Sequence, residues 1–477
     1  MNPNSPEDNS LRNIRRLIWL YFWLLLIEGA LRKWVLPSLS NPLLIVRDPV
    51  VILIYLLAIR ARVFPANGWV FSLGVIGVFS FLLSFIPLWP YLPPSRIFLV
   101  SGYGFRADFL HLPLIFVMAR VLRPADIKKF GWYTLVILMP MALLMVGQFR
   151  SAPDAFLNHT AGGEGEMMTS ALGKVRTAGP FSFVIGVVAY FSMAVAFLVW
   201  AALRRDVYKT WLLFAAGGAL FIGTAVSGSR SVVGACAVVV SSLLVVLIFR
   251  PTAVNRFGQT LVVTVIAGWI LMQTPIFKEG FNVLSTRFNE VAEATEKSVG
   301  AGMIERVMND FEESFSVLTK APFLGYGLGI GTNAGAKFLT GRSMFLLSEG
   351  EWPRIFLESG PLFGLAFVLW RCALVARVSL LCLGSVKIGN VLPLLLFSAT
   401  FLPLLSGQFG QPTILGFATF VTGLALAARK EGTATGVVPL PLEHQRRQPR
   451  IARRSEYASR LHGPGVRDDH TNGSDGR

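Results

Sequence analysis

The stretch Phe181-Ser-Phe-Val-Ile-Gly-Val-Val-Ala-Tyr-Phe-Ser-Met-Ala-Val-Ala-Phe-Leu-Val-Trp-Ala-Ala-Leu203 has no charged side chain and runs directly into Arg204 and Arg205. Coiled as a helix at ~1.5 Å per residue, it is long enough to cross a hydrocarbon core of about 30 Å. It reads as a membrane span with a basic inner flank. The whole chain agrees, with 53% hydrophobic and only 15% charged residues, a balance that excludes an ordinary soluble globule.

Comparable apolar runs lie near Leu17–Leu31, Leu43–Ile59, Trp69–Trp89, Ala107–Leu122, Phe130–Phe149, Trp211–Val226, Ser231–Phe249, Phe257–Thr274, Ile355–Val375, Val391–Ser406 and Thr413–Ala428. The expected fold is an all-α polytopic membrane protein of about twelve transmembrane helices, the second and fourth short and charge-bearing. Orientation follows from basic residues in short connections, because Lys and Arg are retained on the cytoplasmic side. Arg12, Arg15 and Arg16 precede the first run, and alternate connections then carry Arg60 and Arg62, Arg120 to Lys129, Arg204 to Lys209, Arg250 and Arg256, and Arg377 and Lys387. Both termini are therefore expected in the cytoplasm.

The organisation that results is a cytoplasmic N-terminus over residues 1–16, nine spans over 17–274 with an outer loop near 150–180, a large extracytoplasmic loop over 275–353, three spans over 354–428, and a basic tail over 429–477. Arg32 and Lys33 follow the first run in place of a small-residue cleavage site, so it reads as a retained anchor. Few apolar residues follow Lys430, and the tail is expected to be disordered and drawn to anionic lipid. The net charge of +17 is mostly topological, since the large outer loop holds ten acidic against seven basic residues. Nucleic-acid binding is not implied. None of Cys236, Cys372 and Cys382 is placed for an extracytoplasmic disulfide, and no cluster with metal-ligand spacing exists.

Charges within spans point to function because they are costly there. Glu28, Arg47, Asp48, Arg106, Asp108 and His111 all fall towards the outer ends of their runs, and Arg230 sits in the tight outer turn Ser227-Gly-Ser-Arg-Ser231. Singly each is open to a bland reading, such as an Asp108–His111 pair. Together they suggest a polar cavity opening outwards.

The large loop carries two amphipathic helical patterns, one with Leu284, Phe288 and Val291 on a face and one from Ile304 to Leu318. It closes on Gly325-Tyr-Gly-Leu-Gly-Ile-Gly-Thr-Asn333, whose alternating glycines match neither the dinucleotide fingerprint nor the P-loop. Such glycines either let the backbone offer its amides to an anionic oxygen or serve as a flexible re-entry into the membrane. Next come Glu349, Glu351, Arg354 and Glu358, with Arg354 and Glu358 spaced to share a helix face. An arginine fork suits pyrophosphate, and a carboxylate can take a proton from a sugar hydroxyl.

At these residues the chain resembles the O-antigen ligase and O-antigen polymerase family of bacterial polysaccharide-assembly proteins. Ser229-Arg230-Ser231 is similar to the family's Ser-Arg element, Pro322-Phe-Leu-Gly-Tyr-Gly-Leu-Gly329 to its Pro-x-x-Gly-x-Gly element, and Glu358-Ser-Gly360 to its Glu-x-Gly. The resemblance extends over most of Leu17 to Ala428, and it implies a fold grouped with the lipid-dependent membrane glycosyltransferases. It also implies transfer of a glycan from a polyprenyl-pyrophosphate carrier to a glycan or lipid acceptor, at the outer face of the bacterial cytoplasmic membrane and without a cofactor. Arg230 and Arg306 become candidates for holding the pyrophosphate, and Arg176, Arg106, Asn333, Arg354 and Glu358 for further substrate contacts.

Ligases of this family carry a histidine shortly after the glycine element, but Thr332-Asn-Ala-Gly-Ala-Lys-Phe-Leu339 has none. Three options stay open: His159 serves instead, Glu351 acts as the base, or the protein is a polymerase-like relative with different chemistry. Outside the enzyme class, the alternatives are a transporter or flippase of lipid-linked oligosaccharide and a non-catalytic assembly component.

Overall fold

The computed structural model describes residues 6–162, 169, 173–204, 206–249, 273–295, 312–342 and 344–430. The expected span Phe257–Thr274, all but its last two residues, and the basic tail lie outside the described residues. What is described is helical, with one isolated bridge, Thr169 to Val175, in place of any sheet.

Helix α1 covers Pro6–Ala30 and ends in a π-turn, Leu31–Val35. Two short turns over Pro37–Leu43 lead to α2, Asp48–Arg60. The break before α2 has a simple cause, because Pro49 has no N–H to donate to the Ile45 carbonyl one turn back and its ring crowds that carbonyl. Arg47 and Asp48 turn inwards there. Helix α3 is Gly68–Leu83, begun by Asn67, whose side chain accepts from the Val70 amide. Helix α4, Pro94–Phe105, passes through a second π-turn, Arg106–Leu110, into α5, Leu114–Val121.

Four long or apolar helices follow: α6, Pro124–Arg150; α7, Val184–Leu203; α8, Thr210–Val226; and α9, Arg230–Phe249. The large loop contains α10, Pro275–Thr295, a further helical segment over 312–320, and α11, Asn333–Thr340. Helix α12 is Glu351–Lys387, broken internally at Gly360, and α13, Leu392–Ser406, and α14, Pro412–Ala428, complete the bundle. The two amphipathic patterns of the loop thus fall on α10 and on 312–320, while Ile304 to Phe311 lie outside the described residues.

Among the described residues six helical stretches are long and apolar enough to cross a membrane: Pro37–Arg60, Gly68–Leu88, Pro124–Arg150, Val184–Leu203, Arg230–Phe249 and Glu351–Lys387. Helices α8, α13 and α14 are apolar but shorter. The first expected run is hemmed by Arg15, Arg16, Glu28, Arg32 and Lys33, and the fourth is divided by its π-turn. Outward faces stay apolar, with Phe71, Leu143 and Ile248 each about three-quarters exposed, as lipid contact requires.

Helix α14 is the axis. It is buried almost all round, and it packs on α1, α5, α6, α7, α12 and α13. Aromatic rings lock it in place: Phe420 lies 5.5 Å from Phe22 and 5.3 Å from Phe130, which stacks on Trp19 at 3.7 Å.

Two ends of the bundle differ in chemistry. At the basic end, Lys430 donates to the carbonyls of Arg120 and Leu122, Arg120 to those of Val63 and Phe64, and Tyr208 to that of Lys128. Burial lowers the pKa of the Lys430 ammonium, with Asp126 opposing it. The opposite end, called the polar end below, gathers the buried charges and the loop.

Candidate functional site

Of the charges expected to line a cavity, Glu28, Arg47, Asp48, Arg106, Asp108 and His111 instead fill the interior, bonded in two networks. The first joins α1, α2 and the π-turn. Arg47 donates to Glu28 (3.1 Å), to the Tyr21 hydroxyl (3.3 Å) and to the Pro412 carbonyl at the start of α14. Tyr21 meets His111 Nδ1 at 3.0 Å, and His111 Nε2 meets Asp48 at 2.9 Å. Arg106 closes the set on Asp48 at 2.7 Å and on the Leu44 carbonyl at 2.8 Å. A neutral His111 that donates from Nε2 and accepts at Nδ1 satisfies both neighbours.

The second network centres on Arg354, buried on α12. Its guanidinium donates to Asp108 (2.7 Å), Glu358 (2.7 Å) and Glu351 (3.0 Å). Glu351 also accepts from Arg371 at 2.8 Å and from the Phe409 amide at 3.1 Å. Arg371 spends its other N–H groups on the Leu404 and Gly407 carbonyls, over the Phe409 ring at 3.8 Å. Three carboxylates therefore share two buried guanidinium groups. Such a set is stable only while complete, because removing one partner of a buried pair costs about 3–5 kcal/mol.

The π-turn divides the two networks. Arg106 and Asp108, two residues apart, point to nearly opposite sides and join different sets. The wider turn also carries His111 off the face of Asp108, so an Asp108–His111 pair is replaced by Asp108–Arg354 and His111–Asp48. The expected Arg354–Glu358 pair, one helical turn apart, is formed.

The glycine run folds onto the break in α12. Pro361 has no N–H for the Leu357 carbonyl, and Gly360 (φ 70°, ψ 174°) leaves the helical path, which frees the carbonyls of Leu357 and Glu358. Tyr326 and Gly327 supply the missing donors, at 2.7 and 3.1 Å. A Cβ on Gly360 would stand 2.2 Å from the Phe323 carbonyl oxygen, and one on Gly325 would stand 2.3 Å from that of Glu358. Pro322–Gly329 and Glu358–Gly360 are thus two halves of one backbone lock.

Most of the run's amides are spent within the protein. The Leu328 amide donates to Ser84 Oγ (2.9 Å) and the Gly331 amide to Glu358 Oε1 (2.7 Å). Neither amide presentation to an anion nor a flexible re-entry names what these glycines do here: at Gly325 and Gly329 they let the run approach another backbone closely.

Beside the lock a small cleft opens, bordered by Asn333, Phe345, Ser348, Glu349, Gln408 and Gln411, with Glu351 and Arg354 at its base. Thr332 caps α11 by accepting from the Gly335 amide, which sets Asn333 at the helix start, and the buried Asn333 Oδ1 has no hydrogen-bond partner. The Gln408 amide donates to the Glu349 carbonyl and Gln411 donates to Gln408.

Of the residues picked from sequence, Glu351, Arg354 and Glu358 come together with Asn333 around this cleft, and Arg106 belongs to the first network. The segments that carry Arg176 and Arg230 meet. Thr177 donates to the Val226 carbonyl at 3.1 Å, which holds the segment of Arg176 against the turn leading to Arg230. Lys174 pairs with Glu279 of α10 beside them at 2.6 Å. Arg306 lies outside the described residues. His159 stands against Phe156, whose carbonyl accepts from Trp34.

Sequence reasoning missed Arg371, Gln408 and Gln411. Arg371 had a usable signal, being a charge deep within the apolar run Ile355–Val375. The glutamines had none, since the α13–α14 turn reads as an ordinary connection. No family model matches the sequence, and no curated protein matches it either.

Proposed function

We propose that the protein is a membrane glycan polymerase or ligase of the O-antigen ligase and polymerase type. It would take glycan from a polyprenyl-pyrophosphate carrier at the outer face of the bacterial cytoplasmic membrane, with both termini inside, about twelve crossings and the polar end facing outwards. The observation that carries this reading is the backbone lock. Two of the three separate stretches on which the resemblance rests, Pro322–Gly329 and Glu358–Gly360, are bonded to each other beside a small cleft.

In the reaction an acceptor hydroxyl oxygen attacks the anomeric carbon of the donor glycan. The bond from that carbon to the pyrophosphate oxygen breaks, and polyprenyl pyrophosphate leaves with the electron pair. Arg230 and Arg306, with Arg176 adjoining, are assigned to the pyrophosphate, where a guanidinium offsets the charge that grows on the leaving group. Arg354 and Glu358 hold the cleft wall. Glu351 is the proposed acceptor of the hydroxyl proton, a role that requires one of its two guanidinium partners to move aside.

The test is transfer by the purified protein in lipid nanodiscs, given a polyprenyl-pyrophosphate-linked oligosaccharide and followed by mass spectrometry of the glycan products. Wild type is expected to lengthen or transfer glycan, and Arg230→Ala and Arg306→Ala to reduce this by about 100-fold or more. Absence of transfer by wild type across donor oligosaccharides sinks the enzyme reading. Transfer that survives both substitutions removes the pyrophosphate assignment and leaves the enzyme reading standing.

A further inference from the structure

We propose that Arg377 of α12 and Arg429, just past α14, hold the headgroup of an anionic phospholipid in the leaflet at the basic end of the bundle, with its phosphodiester between the two guanidinium groups. The inference goes beyond the glycan-transfer reading and stands or falls without it.

The ends of two helices bring these cations together. The Asn390 side chain donates to the Ala428 carbonyl at 2.8 Å, which pins the end of α14 to the turn after α12. Lys430, next in the chain after Arg429, is tied to the end of α5 through the Arg120 and Leu122 carbonyls. Arg429 is thereby held close to α12, where it feels Cys382 and Arg377. Burial lowers the pKa of its guanidinium, Cys382 opposes that shift, and Arg377 adds to it, as one cation does to another.

Nothing among the described residues balances the pair. Neither Arg377 nor Arg429 has a hydrogen-bond or ion-pair partner there, and Arg429 Nε is buried as well. The carboxylate in reach of this end, Asp126, acts on Lys430 and caps α6 by accepting from the Arg123 amide at 2.9 Å. Two unpaired guanidinium groups close to one another repel, and one oxyanion between them turns that repulsion into two attractions. A phosphodiester suits the place because its two free oxygens accept from both planar forks at once.

Access favours a lipid over a dissolved ion. Arg377 lies on the exposed face of α12 with Ala373, Ala376 and Leu380, the last 63% exposed, so its stem runs along a surface that touches acyl chains. A charge on such a face is costly unless it reaches the headgroup layer, and Arg429 marks that layer at the end of α14. Basic clusters between helix ends bind anionic headgroups. A zwitterionic headgroup fits less well, since its own cation would face two arginines.

The test heats the full-length protein in detergent micelles and follows tryptophan fluorescence with phosphatidylglycerol, phosphatidylcholine or inorganic phosphate added. Phosphatidylglycerol is expected to raise the wild-type unfolding temperature by about 3 °C over phosphatidylcholine, and inorganic phosphate to leave it unchanged. Arg377→Gln and Arg429→Gln are each expected to lose most of that rise, and Lys209→Gln, which removes an exposed cation at the same end, to keep it. In phosphatidylcholine Arg377→Gln is expected to melt at or above wild type, because the repulsion is gone, an outcome that misfolding does not give. A rise that survives both arginine substitutions overturns the proposal. So does a rise that Lys209→Gln loses as fully as they do, which is diffuse attraction of acidic lipid, and so does an equal rise with inorganic phosphate, which is a site for a free anion. Arg377→Gln melting several degrees below wild type in phosphatidylcholine overturns it too, since that guanidinium would then have a partner within the protein.

Discussion

Replacing Gly360 by alanine puts the backbone lock under direct test. At φ 70° and ψ 174° the residue occupies a region open almost only to glycine, and holding another residue there costs about 1–3 kcal/mol. The added Cβ would also lie 2.2 Å from the Phe323 oxygen, 2.8 Å from the Phe323 carbon and 2.9 Å from the Gly325 nitrogen, all of them main-chain atoms with no rotamer to yield. Relief requires the 323–325 backbone to withdraw, and the bonds from Tyr326 and Gly327 to Leu357 and Glu358 go with it. Each carbonyl left bare in the interior adds about 1–3 kcal/mol. The expected loss is about 3–9 kcal/mol, a fall in unfolding temperature of at least about 6 °C.

Tryptophan fluorescence during heating in detergent reads the transition, and limited proteolysis reads release of the loop. Gly384 on the same helix is the control, since a Cβ there meets nothing within 4 Å. Gly384→Ala is expected to be neutral or to stabilise by up to about 1 kcal/mol. A Gly360→Ala protein that melts within 2 °C or so of wild type and resists protease equally refutes the lock.

Three further outcomes are expected. Arg354→Met leaves Asp108, Glu351 and Glu358 facing one another and should destabilise by about 3–5 kcal/mol, with Glu358→Gln in the same chain restoring part of the loss in thermal unfolding; additive losses in the double variant would contradict the network. Lys430→Met strips two carbonyls at the end of α5 of their donor and should lower stability by about 1 kcal/mol, seen as a small shift in the same melt. Reporter fusions after Arg205 and near Lys297 should give a cytoplasmic and an extracytoplasmic signal respectively, and a cytoplasmic signal near Lys297 would undo the proposed orientation.

How much could be read in advance depended on the kind of signal. Runs of apolar residues carried the helices well: Trp69–Trp89 and Trp211–Val226 fall within a residue of Gly68–Leu88 and Thr210–Val226. Hydropathy failed where charge or proline interrupts a pass. It began the fourth run at Ala107, although the helix starts at Pro94, because the π-turn places Arg106 and Asp108 at its middle. It also began the first at Leu17, blind to a helix that opens at Pro6 among polar residues.

For the site, helical spacing was enough to pair Arg354 with Glu358. No spacing rule could join Asp108 to Arg354, or Tyr326 to Leu357, because those contacts depend on how distant helices pack. The alternating glycines suggest amides offered to a ligand or a flexible re-entry, whereas the neighbours of Gly325 and Gly329 in space are main-chain atoms of distant segments, which no local pattern reveals.

The position of α14 bears on how the molecule is made. Pro412–Ala428 is the last of the described helices to leave the ribosome, yet the first, fifth, sixth and seventh pack against it and Arg47 waits for its Pro412 carbonyl. Translation order and packing order run opposite. Earlier helices therefore cannot complete their packing, nor Arg47 its bonds, until α14 arrives. A chain that stops before Pro412 should leave the faces of α1, α5, α6 and α7 that pack on α14 without their partner.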